Sequence, residues 1–408
     1  MLADLPVVFI LVGLVAYTVL AGADFGAGFW TLVAGRGRAG RAAAREYARH
    51  AMGPVWEANH VWLIFILVVC WTAYPVAFAS ITSTLAAPLL LAVIGIILRG
   101  AAYALRGQLE AARDRRATER LFALSSLLTP FALGTVVGAI ATGRVPPGNA
   151  QGDPVTSWLN PTSIALGVLA VATSAYLAAV YLAADAHRAG ERALQLDFRA
   201  RALRAGVCTG VLALIGLNVV NVDAASFGSR LTAGGGLAMV VVSAVGGLGT
   251  LVLVWRGRFE PARVSAALAV ASIIVGWAVA QQPWILPGLT IREAAAERST
   301  LLAVTVVVAI GAIVLVPSLL LLFALHLSGR FDGGAAVREL ASTPTGQDTA
   351  DGKTTRLTVA ATVACLVLGA VLLVFTESGV AHVIAIACLS GGALTMFAHV
   401  STLPVEGD

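Results

Sequence analysis

Apolar runs long enough to cross a lipid bilayer recur eleven times in this chain, at about residues 5–34, 54–79, 82–105, 121–142, 163–185, 205–224, 235–255, 264–284, 300–326, 357–376 and 379–402. A membrane-spanning helix needs about 20 predominantly apolar residues. In hydrocarbon a segment must satisfy its own backbone polar groups, which a helix does. The runs therefore predict an all-α integral membrane protein and exclude a chain built mainly of water-soluble domains. Composition agrees: 58% of the 408 residues are apolar and only 12% charged, with a mean hydropathy of +0.87. The first run has no positive region before it and continues to Trp30 without a convincing cleavage site, so it is expected to be a retained span and not a signal peptide.

All the basic residues except Lys353 are arginines, and their placement is one-sided. The loops after runs one, three, five, seven and nine hold 22 of the 27 Lys and Arg residues. The opposite loops hold only Arg144, Arg230, Arg292 and Arg298, and Arg99 lies inside run three. Basic loops stay on the cytoplasmic side. The bias predicts a multi-pass membrane protein with the N-terminus outside and the C-terminus in the cytoplasm. The net charge of +5 is thus an insertion signal, and no nucleic-acid partner is expected. Cys70, Cys208, Cys365 and Cys388 stand singly inside apolar runs, which offers neither a metal-binding pair nor a disulfide framework, and no metal site is expected.

A faint internal echo runs through the sequence. Asp24 in run one is followed 161 positions later by Asp185 in run five, and Arg99-Gly100 in run three is followed 157 positions later by Arg256-Gly257 after run seven. The similar offsets predict two related four-helix units in the same orientation, unlike the inverted repeats of many transporters. Residues 331–356 are polar and rich in Gly, Thr and Asp, which predicts a flexible cytoplasmic linker before an extra pair of spans.

An ionisable side chain in a span is costly and marks a functional candidate. Asp24 sits among small residues in Ala21-Gly22-Ala23-Asp24-Phe25-Gly26-Ala27-Gly28, which would admit a neighbouring helix closely. It is either an acid paired for packing or a proton carrier. Run two opens with Gly53-Pro54-Val55-Trp56-Glu57-Ala58-Asn59-His60-Val61-Trp62. Pro54 suits a first helical position, Glu57 then falls in the first turn, where the helix dipole favours an anion, and His60 follows on the same face. Glu57 either caps its own helix or joins Asp24, on the adjacent antiparallel helix, in a relay. Arg99 either pairs with these acids, holding their ionisation near neutral pH, or snorkels to the surface. The six histidines, His50, His60, His187, His326, His382 and His399, form no His-x3-His motif; each is weighed as a haem ligand or an ordinary polar contact.

At these residues the sequence resembles subunit II of cytochrome bd-type quinol oxidases, more closely the cyanide-insensitive branch. The matching stretches are GADFGAGFW (22–30), GPVWEANHVWLI (53–64), AYPVAFASI (73–81), read as a turn between runs two and three, and LRG (98–100). The second is the most specific, through Trp56, Glu57, Asn59 and Trp62. The resemblance implies two four-helix bundles plus a peripheral ninth helix, to which this chain adds two extra C-terminal transmembrane helices. The expected boundaries are 1–145 for the first unit, 146–263 with 264–284 for the second, 300–330 for the ninth helix, and 357–408 for the added pair. It also implies a heterodimer with a haem-bearing subunit I, which holds haem b, haem d and the quinol site, so that this chain binds no haem of its own and quinone is a substrate of the complex. Glu57 and Asp24 correspond to acids of a proton path in that family, with Trp56, Asn59, Trp62, Arg99 and His60 in support, and Asp223 matches a further acid. The other branch carries Asp at the position of Glu57 and Gln at that of His60, which weighs against His60 as a haem ligand. A small accessory subunit is a possible further partner. Two other readings compete: a secondary transporter or ion-coupled carrier, with Asp24 and Glu57 binding the coupling ion, and a membrane scaffold with no reaction.

Overall fold

The computed structural model describes residues 2–33, 56–105 and 112–327. The expected linker at 331–356 and the two spans after it lie outside the described residues. The chain forms two compact units, Met1–Val316 and Pro317–Asp408. The described part of the second is the end of the last helix, to Leu327; all other described residues belong to the first.

A single 3-10 turn, Leu2–Asp4, leads into α1 (Leu5–Val33). Then come α2 (Trp56–Ala73), α3 (Pro75–Thr84), α4 (Ala86–Leu105), α5 (Ala112–Ala141), α6 (Pro161–Arg188) and α7 (Arg192–Asp223). After these lie α8 (Ala225–Leu231), α9 (Gly234–Trp255), α10 (Phe259–Gln281), a hairpin of β1 (Trp284–Leu286) with β2 (Leu289–Thr290), α11 (Ile291–Ala294) and α12 (Arg298–Leu327). Among the described residues eight helices are long and apolar enough to cross a membrane, and the apolar part of α2, Asn59–Ala73, is shorter. The protein is thus an all-α membrane protein, with the small hairpin as its one departure among the described residues.

One boundary differs from the sequence reading. The run 54–79 does not form one span, and AYPVAFASI is not a turn. α2 stops at Ala73, Tyr74 takes a non-helical conformation, and Pro75 occupies the first turn of α3. Proline has no N–H to give, which costs nothing in a first helical turn but breaks a helix interior. α7 breaks in a similar way without a proline: it ends at Asp223 and the short α8 follows after Ala224.

α6 is the most enclosed helix, with 61% of its apolar window buried, against 17% for α7 and for α9. Its sequence explains this. Ala175, Ala178, Ala179, Ala183 and Ala184 are all buried and small, so neighbours come close on several sides. α1, α5, α7 and α10 all pack on it. α1 also packs on α2, α5 and α10, α4 on α5, and α9 on α10 and α7. α7 and α9 instead turn Val211, Leu214, Val245 and Leu248 outward, which suits a surface solvated by lipid and would be an aggregation hazard in water.

The core falls into distinct clusters. One joins Trp30 of α1 to Tyr176, Leu177 and Val180 of α6 and to Phe198, Val254 and Phe259. Another, at the opposite ends of the helices, gathers Ala73, Tyr74, Leu85, Val145, Leu286, Ile291 and Leu301. A third lies between α1 and α2, around Tyr17, Ala21, Phe25 and Ile66.

Candidate functional site

Two glycines decide what approaches the acid of α1. A Cβ at Gly26 would lie 1.8 Å from the Ser174 carbonyl oxygen of α6, and one at Gly28 would lie 2.2 Å from Ser126 Oγ of α5. Neither position tolerates a side chain, so α1 docks backbone-close to both helices and Asp24, between the two glycines and Gly22, is drawn inside. The Asp24 residue is 5% exposed.

α4 supplies its counter-charge. Arg99 is 1% exposed, and its Nη2 donates to Asp24 Oδ1 at 2.8 Å and to the Asp24 carbonyl oxygen at 3.1 Å. Nη1 donates to Ser126 Oγ, which in turn donates to the Phe122 carbonyl oxygen at 2.6 Å. The guanidinium also lies over the rings of Phe25, at 4.9 Å, and Phe122, at 4.4 Å. Of the two sequence readings of Arg99 the structure selects the pair: the side chain turns into the protein and does not snorkel. A buried charge of this kind persists only when paired and hydrogen-bonded, and both conditions are met.

The pair is lopsided. Asp24 Oδ1 is held by Arg99, whereas Asp24 Oδ2 and Arg99 Nε have no hydrogen-bond partner among the described residues. The carboxylate thus keeps one oxygen fixed and one available.

The other candidates lie on α2, which packs on α1. Asn59 is buried, and the His60 ring meets Tyr17 edge-on at 6.2 Å and Phe25 at 6.4 Å. Trp62 packs half-buried on the Tyr17–Phe25 cluster and against Phe65. Trp56 and Glu57 are the first two residues of α2, and their side chains lie outside the described ones. His187 lies exposed at the end of α6 against Phe259.

Sequence reasoning missed Ser126, Phe122 and Tyr17. Nothing marked Ser126 or Phe122. Tyr17 had one signal: it stands seven residues before Asp24, on the same face of α1.

The remaining acids serve elsewhere. Asp223, the last residue of α7, accepts two hydrogen bonds from Arg144, at 2.8 and 3.1 Å, and one from the Thr162 backbone N–H at 3.2 Å, tying α7 to the loop after α5 and to the start of α6. Asp185 is shared by Arg188 and by Arg263, at 2.9 Å. The sequence echo set Asp185 with Arg256, but Arg256 is the exposed C-cap of α9 and the partner comes from α10. The pattern Asp24–Arg99 is not duplicated in kind.

Known proteins share this architecture. A family model described as cytochrome bd terminal oxidase subunit II matches residues 2–326. A cytochrome bd-I ubiquinol oxidase subunit 2 of Escherichia coli strain K12 is 26% identical over 350 residues, covering 76% of this chain and 88% of that one. A cytochrome bd ubiquinol oxidase subunit 2 of Bacillus subtilis strain 168 is 28% identical over 142 residues, 35% of this chain and 41% of that one. Among solved structures, a chain of the bd oxidase from Geobacillus thermodenitrificans aligns with a TM-score of 0.67 at 24% identity, over 80% of this chain and 98% of that chain, a likeness of fold.

Proposed function

Because this chain belongs to the cytochrome bd terminal oxidase subunit II family, and so is a subunit of a respiratory quinol oxidase, we propose that it braces the haem-bearing subunit I and carries protons to it from the cytoplasm. The complex oxidises quinol and reduces dioxygen to water, with haem b and haem d held by subunit I. The reduction consumes protons in an enclosed site, and an enclosed site needs a polar route through the membrane.

The observation that carries this reading is the buried Asp24–Arg99 pair, whose second carboxylate oxygen has no hydrogen-bond partner among the described residues. Arg99 fixes the position of Asp24 through Oδ1, and Oδ2 accepts a proton and releases it. Glu57, at the start of the adjacent helix, is the entry group, and Asp24 is the next station. Asn59, His60 and Trp62 line the α2 side, with Trp56 beside Glu57.

The helix contacts support the expected repeat. α1, α2, α4 and α5 form one four-helix unit and α6, α7, α9 and α10 the second, each with a short helix after its second span, α3 and α8. α12 is the peripheral ninth helix. On this reading the units run over 1–145 and 146–284, the ninth helix over 300–330, and residues 331–356 link to an added pair of spans at 357–408. The basic loops face the cytoplasm.

The test is Glu57→Gln in the assembled complex. The amide keeps the shape and cannot ionise, so quinol oxidase turnover should fall at least tenfold while the haem d and haem b bands stay normal. Near-normal turnover would remove Glu57 from the path and leave it a helix-capping residue.

A further inference from the structure

The Tyr17 hydroxyl is buried and has no hydrogen-bond partner among the described residues, in a side chain only 7% exposed. Tyr17 belongs to an apolar cluster with Ala21, Phe25 and Ile66, against which Trp62, Leu63 and Leu133 pack, a setting in which phenylalanine would bury no polar atom. Buried polar groups are nearly always bonded to protein or to ordered water. An orphan hydroxyl therefore points to solvent inside the protein, and its neighbours do the same. Asp24 Oδ2 and Arg99 Nε are buried and equally without protein partners among the described residues.

These atoms belong together. Tyr17 and Asp24 are seven residues apart on α1, so they share a face about 10 Å apart along the axis. Tyr17, Phe25 and His60 meet edge-on, with ring centroids 6.2 to 6.4 Å apart, and the Arg99 guanidinium covers the far side of Phe25. The three side chains that carry these polar atoms are thus linked through Phe25, whose ring meets Tyr17, follows Asp24 directly in α1 and carries the Arg99 guanidinium.

We propose that Tyr17 is a station on the proton path beyond Asp24, joined to Asp24 Oδ2 by internal water. This rests on the proton-path reading given above. A phenol is both donor and acceptor. Its oxygen takes a proton from the water on the Asp24 side as its own O–H proton passes to an internal water on the far side, and the hydroxyl then reorients. No net charge is left on the ring, and the departing proton replaces the one received.

The experiment uses the assembled oxidase, fully reduced and mixed with oxygen, with haem oxidation and proton uptake from a pH dye followed together. Tyr17→Phe removes one oxygen atom and keeps the ring. Proton uptake should slow at least fivefold, with an enlarged solvent deuterium isotope effect, while haem content stays normal. Tyr17→His restores a group able to accept and donate a proton and should recover part of the rate. Normal uptake in Tyr17→Phe overturns the proposal, and so does loss of haem or of the partner subunit, which would make the hydroxyl a packing group. Glu57→Gln separates the two levels. Slow uptake there with normal uptake in Tyr17→Phe defeats the station alone, whereas normal uptake in Glu57→Gln defeats the path on which it rests.

Discussion

A buried ion pair is best judged by what happens when half of it is removed. Arg99→Met keeps most of the stem and deletes the charge, leaving Asp24 without its counter-charge in a buried site; removing one partner of such a pair costs about 3–5 kcal/mol. The variant complex should unfold at a clearly lower temperature. Adding Asp24→Asn should restore part of that loss, because no unpaired charge is then left inside; a double variant less stable than both single ones would show that the two residues are not a pair. Packing around the pair gives a second prediction. In Gly28→Ala the new methyl collides with Ser126, so the yield of assembled complex should drop severalfold, and Ser126→Gly should recover it if that collision is the cause. Asp24 and Arg99 were legible in the sequence because charges in apolar runs are expensive and stand out. Ser126 and Tyr17 were not: serine and tyrosine are ordinary in spans, and only the folded neighbours reveal which of them matter.

Single helices show where hydropathy alone misleads. The run 54–79 is continuously apolar, so its average gives no sign that α2 ends and α3 begins; the sign was Pro75, a residue that starts helices and does not continue them. The small helix α11 was invisible for the opposite reason, since four residues leave no periodic pattern. Its start is fixed by a capping box: the Thr290 backbone N–H and hydroxyl both donate to Glu293 Oε2 at 2.8 Å, and the Glu293 N–H donates to Thr290 Oγ1 at 3.3 Å. The bonds from Thr290 hold the Glu293 carboxyl below its ordinary value of 4.5. A carboxyl depressed in the folded state stabilises the fold above its unfolded value and loses that contribution as the pH falls through the folded one. Amide protection at residues 290–294 should therefore weaken on acidification below pH 4.5. In Glu293→Gln protection should be weaker at neutral pH and flat across that range; an unchanged pH profile would show that the box does not govern the turn.

At the scale of the whole molecule, the membrane class was readable from the apolar runs, because lipid imposes them. The packing partners were not: small residues permit close approach without saying to which helix, and the enclosed position of α6 emerges only from the fold. Expressed without subunit I, the chain should show no haem absorbance, and a stoichiometric haem would contradict the assignment of the cofactors to the partner. Reporter fusions in the loop after α5 and at Gly190 should report opposite sides of the membrane; activity on one side for both would overturn the topology. Synthesis meets these elements in a fixed order. Leu2, Ala3 and Val7 pack on the cluster that holds Leu286, Ile291 and Leu301, the Ala3 carbonyl accepts a hydrogen bond from the Tyr74 hydroxyl, and the Ala296 N–H donates to the Ala73 carbonyl. The helix that enters the bilayer first is thus the last to be fastened at this end. Its opening turn must wait, in the growing chain, for segments that leave the ribosome only after α10. Closure over such sequence distance is slow, so a nascent chain halted before Trp284 would hold α1 inserted but unlatched, and open to the proteases that patrol half-finished membrane proteins.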